Sequence, residues 1–321
     1  GMKAKYFDPS QEDFPIITST DYLEADILSV QSKEKCQTHI EPLLKKGYIP
    51  VVCGFLGRSI ENGDITCLGR GGSDITAFAL GHFIDADEVI IVTDAQGVSS
   101  ADPRMIKKVE TLPKISVEEM GILAEGGAKV LHPRALHYKK TSMKAKIIHF
   151  QKGNLDAKGT EIEGIFASKI HIFKDKLAQL TVIGESILET AGLLKAMATP
   201  LSENKISIQG ISMGLKYVGL YILEQNCQKA YDLVHPVVLD NKYLKSVTLK
   251  KGIALIVVSS RHFIETPGII EKISRPLAEN NINILEMTTI KTDILIFVEW
   301  QNKDIVYQLV NDALGQIGIT S

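Results

Sequence analysis

Short β-rich runs alternate with helical patterns along the first half of the chain. They fall at residues 48–55, at 74–83, where the apolar spacing predicts a helix, and at 88–93, 117–123 and 144–149. Such alternation predicts a parallel α/β layer. Pro50 is the only proline inside these runs and stands near the start of the first, where a missing N–H is tolerated. Val89-Ile90-Ile91-Val92 suits a strand buried on both faces. Glycines and charges gather after the strands, at the edge where open α/β sheets bind ligands.

The pattern changes after a polar, glycine-containing connection at 152–164, and the chain then repeats itself. Residues 189–208 align with 265–284 at an offset of 76, with nine of twenty positions identical, including Pro200 with Pro276 and Glu203-Asn204 with Glu279-Asn280. Residues 177–182 match 253–258 without a gap. This is an internal duplication. Each copy reads strand, helix, strand, strand, helix, most of a βαββαβ sandwich. The expected domains are 1–164, an α/β portion with a parallel sheet, then 165–245 and 246–321, two ferredoxin-like βαββαβ repeats.

The 321 residues, 45% of them hydrophobic, suffice for two or three domains with real cores. The 36 basic and 38 acidic residues are well mixed and leave a net charge of −2. No nucleic-acid footprint or polybasic membrane surface is expected, so the partners are small molecules and a second copy of the chain. Cys36, Cys53, Cys67 and Cys227 show no C-x-x-C spacing and are expected to stay reduced. No basic-then-apolar leader and no apolar run of about 18 residues is present, so the expected location is cytoplasmic. Gly1 ahead of Met2 reads as a tag remnant, with Met2 as the natural start.

The chemistry concentrates at Leu68-Gly69-Arg70-Gly71-Gly72-Ser73-Asp74 and at Val92-Thr93-Asp94-Ala95-Gln96-Gly97-Val98. Gly71 and Gly72 can turn consecutive N–H groups toward one point, and Ser73 and Asp74 are good N-cap residues for the helix that follows. Taken alone, the turn reads either as an oxyanion site or as an ordinary glycine turn ahead of a helix, and the neighbouring motifs favour the first. Phe55-Leu56-Gly57-Arg58 stands upstream, and Ala101-Asp102-Pro103-Arg104, Glu118-Glu119-Met120 and Gly127-Ala128-Lys129-Val130-Leu131-His132-Pro133-Arg134 stand downstream. In order and spacing these motifs resemble the aspartate kinase family, and the resemblance runs from about Ala4 to the C-terminus. The repeats resemble paired ACT domains, whose strands can interleave across the boundary near Lys245.

The resemblance implies an amino-acid-kinase-like domain, partial in this chain, that moves the γ-phosphoryl of ATP onto the side-chain carboxylate of L-aspartate, the first step of lysine, threonine and methionine biosynthesis. It implies Phe55, Arg70, Gly71, Gly72 and Ser73 on aspartate, with Arg70 and Asp74 as the catalytic pair. It implies Thr93, Asp94, Arg104 and Lys129 on nucleotide. No residues have the spacing of a dedicated metal cage, so Mg²⁺ is expected to arrive with ATP. His132 reads as a structural contact and not a base. For the ACT pair it implies feedback regulation by lysine, threonine or methionine, with Ser207 and Gln209 as effector contacts, and a homodimer.

Departures from the family pattern qualify this expectation. Gln96 and Ser99 stand where the family tends to have aspartate and tyrosine. The first repeat has Met213-Gly214-Leu215-Lys216 where lysine-inhibited members tend to have serine or threonine followed by glutamate. No part of the chain matches the lysine-phenylalanine-glycine-glycine strand that supplies the family's catalytic lysine, so the chain is expected to begin midway through the kinase domain and to be inactive alone. The competing expectation is a non-catalytic regulatory or assembly chain that binds an amino-acid effector.

Overall fold

In a computed structural model the polypeptide divides into two units, Gly1–Phe166 and Ala167–Ser321. All residues are described except 129–130, 166–167, 261–262, 264–266 and 316–321, together with the side chain of residue 125. Lys129 and the Glu265-Thr266 pair of the second repeat therefore lie outside the described residues.

Unit 1 runs β1 (Ala4–Phe7), β2 (Ile17–Thr18), α1 (Ser29–Lys35), a π-helical turn (Cys36–Ile40), α2 (Glu41–Lys45), β3 (Ile49–Val52), β4 (Leu56–Ser59), β5 (Ile65–Cys67) and α3 (Gly72–Phe83). It continues through β6 (Glu88–Thr93), β7 (Lys114–Ser116), α4 (Val117–Glu125), α5 (Pro133–Leu136), β8 (Lys144–His149) and β9 (Thr160–Glu163). These strands form three small sheets. β1 and β3 pair in parallel, β2, β4 and β5 form a mixed trio, and the third sheet has the order β6-β8-β9-β7. Parallel pairing holds for β6 with β8 and β7 with β9, whereas β8 and β9 are antiparallel. The layer is thus mixed rather than purely parallel.

Phe7, Phe14, Phe78, Phe83, Met120 and Leu136 belong to one buried core shared by the β1-β3 sheet, the β6-β8-β9-β7 sheet and α3. α3 reaches it closely: a Cβ at Gly81 would stand 2.5 Å from Val89 Cγ2, so only glycine lets the helix lie this near β6. The reading of 89–92 as buried on both faces fails at its end. Val89 is buried, but Val92, near the end of the outer strand β6, is 50% exposed.

Unit 2 runs β10 (Lys169–Ile172), β11 (Leu177–Gly184), α6 (Leu193–Glu203), β12 (Ile208–Gly214), β13 (Tyr217–Leu223), α7 (Cys227–Asp240), β14 (Leu244–Ser259), α8 (Ile269–Glu279), β15 (Ile284–Ile290), β16 (Asp293–Glu299) and α9 (Lys303–Gly315). The 76-residue offset holds in three dimensions. α6 and α8, β12 and β15, and β13 and β16 have equivalent bounds. Left-handed Gly192 and Gly268 precede the paired helices, and left-handed Lys205 and Asn281 follow them. Each half buries a helix pair against its own sheet face, around Met197 and Val234 in one and Ile273 and Val310 in the other.

One sheet of seven antiparallel strands carries both halves, in the order β12-β13-β11-β14-β16-β15, with β10 also on β14. β14 serves twice. Its residues 244–250 pair with β11, and 253–259 pair with β16, the change falling at the irregularity beside left-handed Gly252. A continuous strand therefore crosses the expected 245/246 boundary. The first half has its fourth strand in the start of β14; the second takes β10, from ahead of the first repeat. On the face away from the helices Tyr221 and Phe297, at equivalent positions of the two copies, stack with centroids 3.9 Å apart, and the Tyr221 hydroxyl donates to Glu286 at 2.6 Å.

Candidate functional site

The chain leaves β3, passes Cys53-Gly54 and turns at Phe55, whose φ of +75° is a conformation aromatic residues avoid. Two hydrogen bonds hold it there. Its N–H donates to Thr76 Oγ1 at 3.1 Å, and its carbonyl accepts from the Leu68 N–H at 2.9 Å. Thr76 Oγ1 in turn donates to the Gly72 carbonyl at 2.9 Å, which locks the Phe55 turn to the first turn of α3. The two strips of backbone touch. A Cβ at Gly54 would meet Ser73 Cα at 3.1 Å, and one at Gly72 would meet Phe55 Cδ2 at 2.8 Å, so close approach demands glycine at 72 and leaves little room at 54.

α3 begins at Gly72, two residues before the expected start, and its N-cap is Gly71 with φ +75° and no side-chain cap. Ser73 and Asp74 therefore sit inside the first turn rather than capping it. The reason is local: left-handed Gly69 and Gly71 bring the chain into the helix early, with Gly72 N–H donating to Gly69 O and Ile75 N–H to Gly71 O. A helix start without a side-chain cap offers its N–H groups to an anion. Arg70 is exposed and, among the described residues, pairs with no carboxylate.

Asp74 is half-buried and lines a cavity of 390 Å³ with Arg70, Gly71, Leu131 and His132. Burial pushes its carboxyl above the ordinary carboxylate range, and His132 opposes this through its charge and through a hydrogen bond from its backbone N–H. A Cβ at Gly71 would lie 2.3 Å from His132 Cβ, so the histidine rests directly on the glycine turn. Phe55, Arg70, Gly71, Gly72, Ser73 and Asp74 thus share one locality. Thr76 and His132 complete it and were not among the expected site residues. Their signals were a threonine one turn into the helix and a histidine placed immediately before Pro133 to cap α5.

Thr93, Asp94 and Arg104, the described residues among those expected on nucleotide, are not in the lining of that cavity. Thr93 ends β6 and donates through Oγ1 to Asp94 at 3.2 Å, and Asp94 is exposed. Arg104 is 61% exposed in its side chain and bound to Asp102 by two parallel bonds, Nε to Oδ1 at 3.0 Å and Nη2 to Oδ2 at 2.5 Å. Its fork is filled by the carboxylate two residues before it, which holds the guanidinium pKa above its ordinary value. Among the described residues, no hydrogen bond or ion pair joins Thr93, Asp94 or Arg104 to Phe55 or Arg70.

In unit 2, Ser207 is exposed just before β12, and Gln209 lies at an irregularity of that strand, between paired Ile208 and Gly210. Leu285 occupies the equivalent irregularity of β15. No cluster of three metal-ligating side chains occurs among the described residues, and no described helix is long and apolar enough to cross a membrane. All four cysteines are free.

The amino acid kinase family model matches residues 1–149, and an ACT domain model matches residues 249–312. The aspartokinase of a Bacillus species is 30% identical over 293 residues, covering 88% of this chain and 69% of that protein. The aspartokinase of Helicobacter pylori is 30% identical over 315 residues, covering 92% of this chain and 75% of that protein. The crystal structure of aspartate kinase from Synechocystis shares the fold, with a TM-score of 0.67 at 24% identity over 88% of this chain and 50% of that one. This chain accordingly spans half to three-quarters of the length of these proteins. With relatives named for one enzyme along most of its length, an amino acid kinase unit and an ACT domain, the chain belongs to the aspartokinase family.

Proposed function

We propose that unit 1 binds L-aspartate and ATP for transfer of the γ-phosphoryl group to the aspartate side-chain carboxylate, and that unit 2 regulates this by binding an amino acid. The supporting observation is the locked turn, in which Phe55 and Gly72 lie in close contact while Arg70, beside half-buried Asp74, pairs with no carboxylate among the described residues. The reaction asks for no general base: a carboxylate with a pKa near 4 is already ionised at neutral pH, and the protein must align two anions and offset their repulsion. Arg70 offers a planar fork to a substrate carboxylate, the start of α3 offers N–H groups, and Asp74 receives the substrate ammonium. Thr93, Asp94, Arg104 and Lys129 are assigned to ATP, which carries Mg²⁺ with it. An exposed ion pair is weak, so phosphate oxygens can take Arg104 from Asp102.

In unit 2 the effector is lysine, threonine or methionine, the end-products of the pathway that aspartyl phosphate feeds, with Ser207 and Gln209 as contacts. Outer strands β12 and β15 leave Ile211, Met213 and Ile290 exposed, which favours closure by a twofold homodimer. The location is the cytoplasm.

Hydrogen exchange on the full chain tests the reading. Saturating L-aspartate should slow exchange at residues 54–57 and 68–76, and lysine, threonine or methionine should slow it in unit 2. Protection by aspartate confined to unit 2 overturns the assignment. A second reading, a non-catalytic chain that assembles and binds an effector, draws on the filled fork of Arg104. It expects effector protection in unit 2 with no response of unit 1 to aspartate or Mg·ATP.

A further inference from the structure

The connection between β6 and β7, residues 94–113, exceeds the ~12–15 residues beyond which an irregular segment usually carries function. Asp94 opens it and Arg104 lies near its middle. Its two arms meet as a short antiparallel ribbon: Leu112 N–H donates to the Val98 carbonyl at 2.7 Å, Ser99 bridges to Thr111, and Ser100 N–H donates to the Glu110 carbonyl at 2.8 Å. Opposed residues of such a ribbon exchange two bonds, so Val98 N–H is expected to return to the Leu112 carbonyl. A hydroxyl from another strand is inserted there. Thr160 Oγ1 accepts from Val98 N–H at 2.9 Å and donates to the Leu112 carbonyl at 2.6 Å.

Thr160 opens β9 and is fully buried, and the backbone on either side of it is fixed. A Cβ at Gly159 would stand 1.9 Å from the Ile147 carbonyl oxygen, and Glu161 N–H donates to the Pro113 carbonyl at 2.9 Å. On the loop side Gly97 has φ +133°, and a Cβ there would lie 2.5 Å from Thr160 Oγ1. A hydroxyl has one hydrogen to give and lone pairs to receive, so one buried side chain satisfies both open groups of the ribbon. We propose that Thr160 is a positioning residue of the nucleotide site, its hydroxyl setting the spacing of the two arms and, through them, the placement of Asp94 and Arg104. This rests on the reading of Asp94 and Arg104 as contacts of ATP. Arg104 and its partner Asp102 stand beyond the arms, between Ser100 and Glu110, so the base of the ribbon aims them. A site carried on a loop is only as precise as the shell that holds the loop.

Thr160→Val keeps the volume and puts a methyl where the hydroxyl stood, so Val98 N–H and the Leu112 carbonyl lose their partner and cannot close on each other. In the full chain without ligand, amide exchange followed by NMR should quicken at Val98 by roughly tenfold or more, the size of one buried hydrogen bond, and stay parental in α3. Calorimetry should show Mg·ATP affinity lowered roughly five- to twentyfold, with L-aspartate affinity within about twofold of the parent. Thr160→Ser restores the hydroxyl and should recover Mg·ATP binding. Gly97→Ala attacks the same contact from the loop and should reproduce the Thr160→Val pattern. Unchanged exchange at Val98 in both variants, equal losses for Mg·ATP and L-aspartate, or no recovery in Thr160→Ser overturns the proposal. A parent chain that binds no Mg·ATP overturns the nucleotide reading of the loop, and exchange at Val98 still decides whether Thr160 holds its arms.

Discussion

Phe55 shows how the site is paid for in local strain. A left-handed aromatic residue costs on the order of 1–3 kcal/mol and persists only where its surroundings hold it. Here the holder is Thr76, a buried hydroxyl that accepts from Phe55 and donates to Gly72. Thr76→Val keeps the volume and removes both bonds, leaving the Phe55 N–H without its partner. Urea unfolding of unit 1 should report a loss of about 1–3 kcal/mol, and aspartate binding should weaken with it; an unchanged midpoint contradicts the locking role. Gly71→Ala should be at least as harmful, because it adds a strained φ to contact with His132. Some of this was legible in the sequence: Gly71-Gly72 ahead of an apolar run marks a turn that opens a helix. The strain at Phe55 was not, since nothing in a Gly-Phe pair says which residue takes the positive φ. Nor was the pairing of Arg104, because Asp102 two residues earlier is equally compatible with a free fork.

At the scale of elements, helices were read better than strand environments. The 76-residue repeat marks α6 and α8 because a recurring Gly, Pro and Glu-Asn fix their starts, interiors and ends. The exposure of Val92 on β6 is not legible in its apolar run, because the run does not show what covers each face of the strand. The turn between α1 and α2 was also silent in sequence. Its π-helical geometry buries Cys36 completely, and burial, with the Glu41 charge adding to it, pushes the thiol up to about 12. A raised pKa stabilises the fold fully below the unfolded value near 9, and the benefit is lost as pH climbs from there through 12. The unfolding free energy of unit 1 should therefore fall between pH 9 and pH 11 by up to about 1.4 kcal/mol per unit from this thiol. Cys36→Ala should begin lower and decline less steeply. Equal slopes for the two proteins contradict the assignment.

At the scale of the whole molecule, the duplicated unit is closed by a strand that lies outside its own repeat. The repeat in sequence shows two copies but not that β10, ahead of both, completes the second, because pairing across some 85 residues is decided by packing. Ile170 pairs with Val258 and packs on the second-half core. Ile170→Asp should thus lower hydrogen-exchange protection in β14 beyond Gly252 and in β16, by about 2–4 kcal/mol, and spare α6 and β13. Uniform loss in both halves contradicts this division. For the chain as an enzyme, everything turns on the carboxylate fork. The most direct measurement is calorimetric titration of L-aspartate into the full chain and into Arg70→Ala at neutral pH. Saturable binding by the parent is expected, with a loss of about 1.5–3 kcal/mol in the variant, a rise in Kd of roughly ten- to a hundred-and-fiftyfold. Equal affinity in the two proteins, or no binding by the parent, contradicts an aspartate site at the Arg70–Asp74 turn.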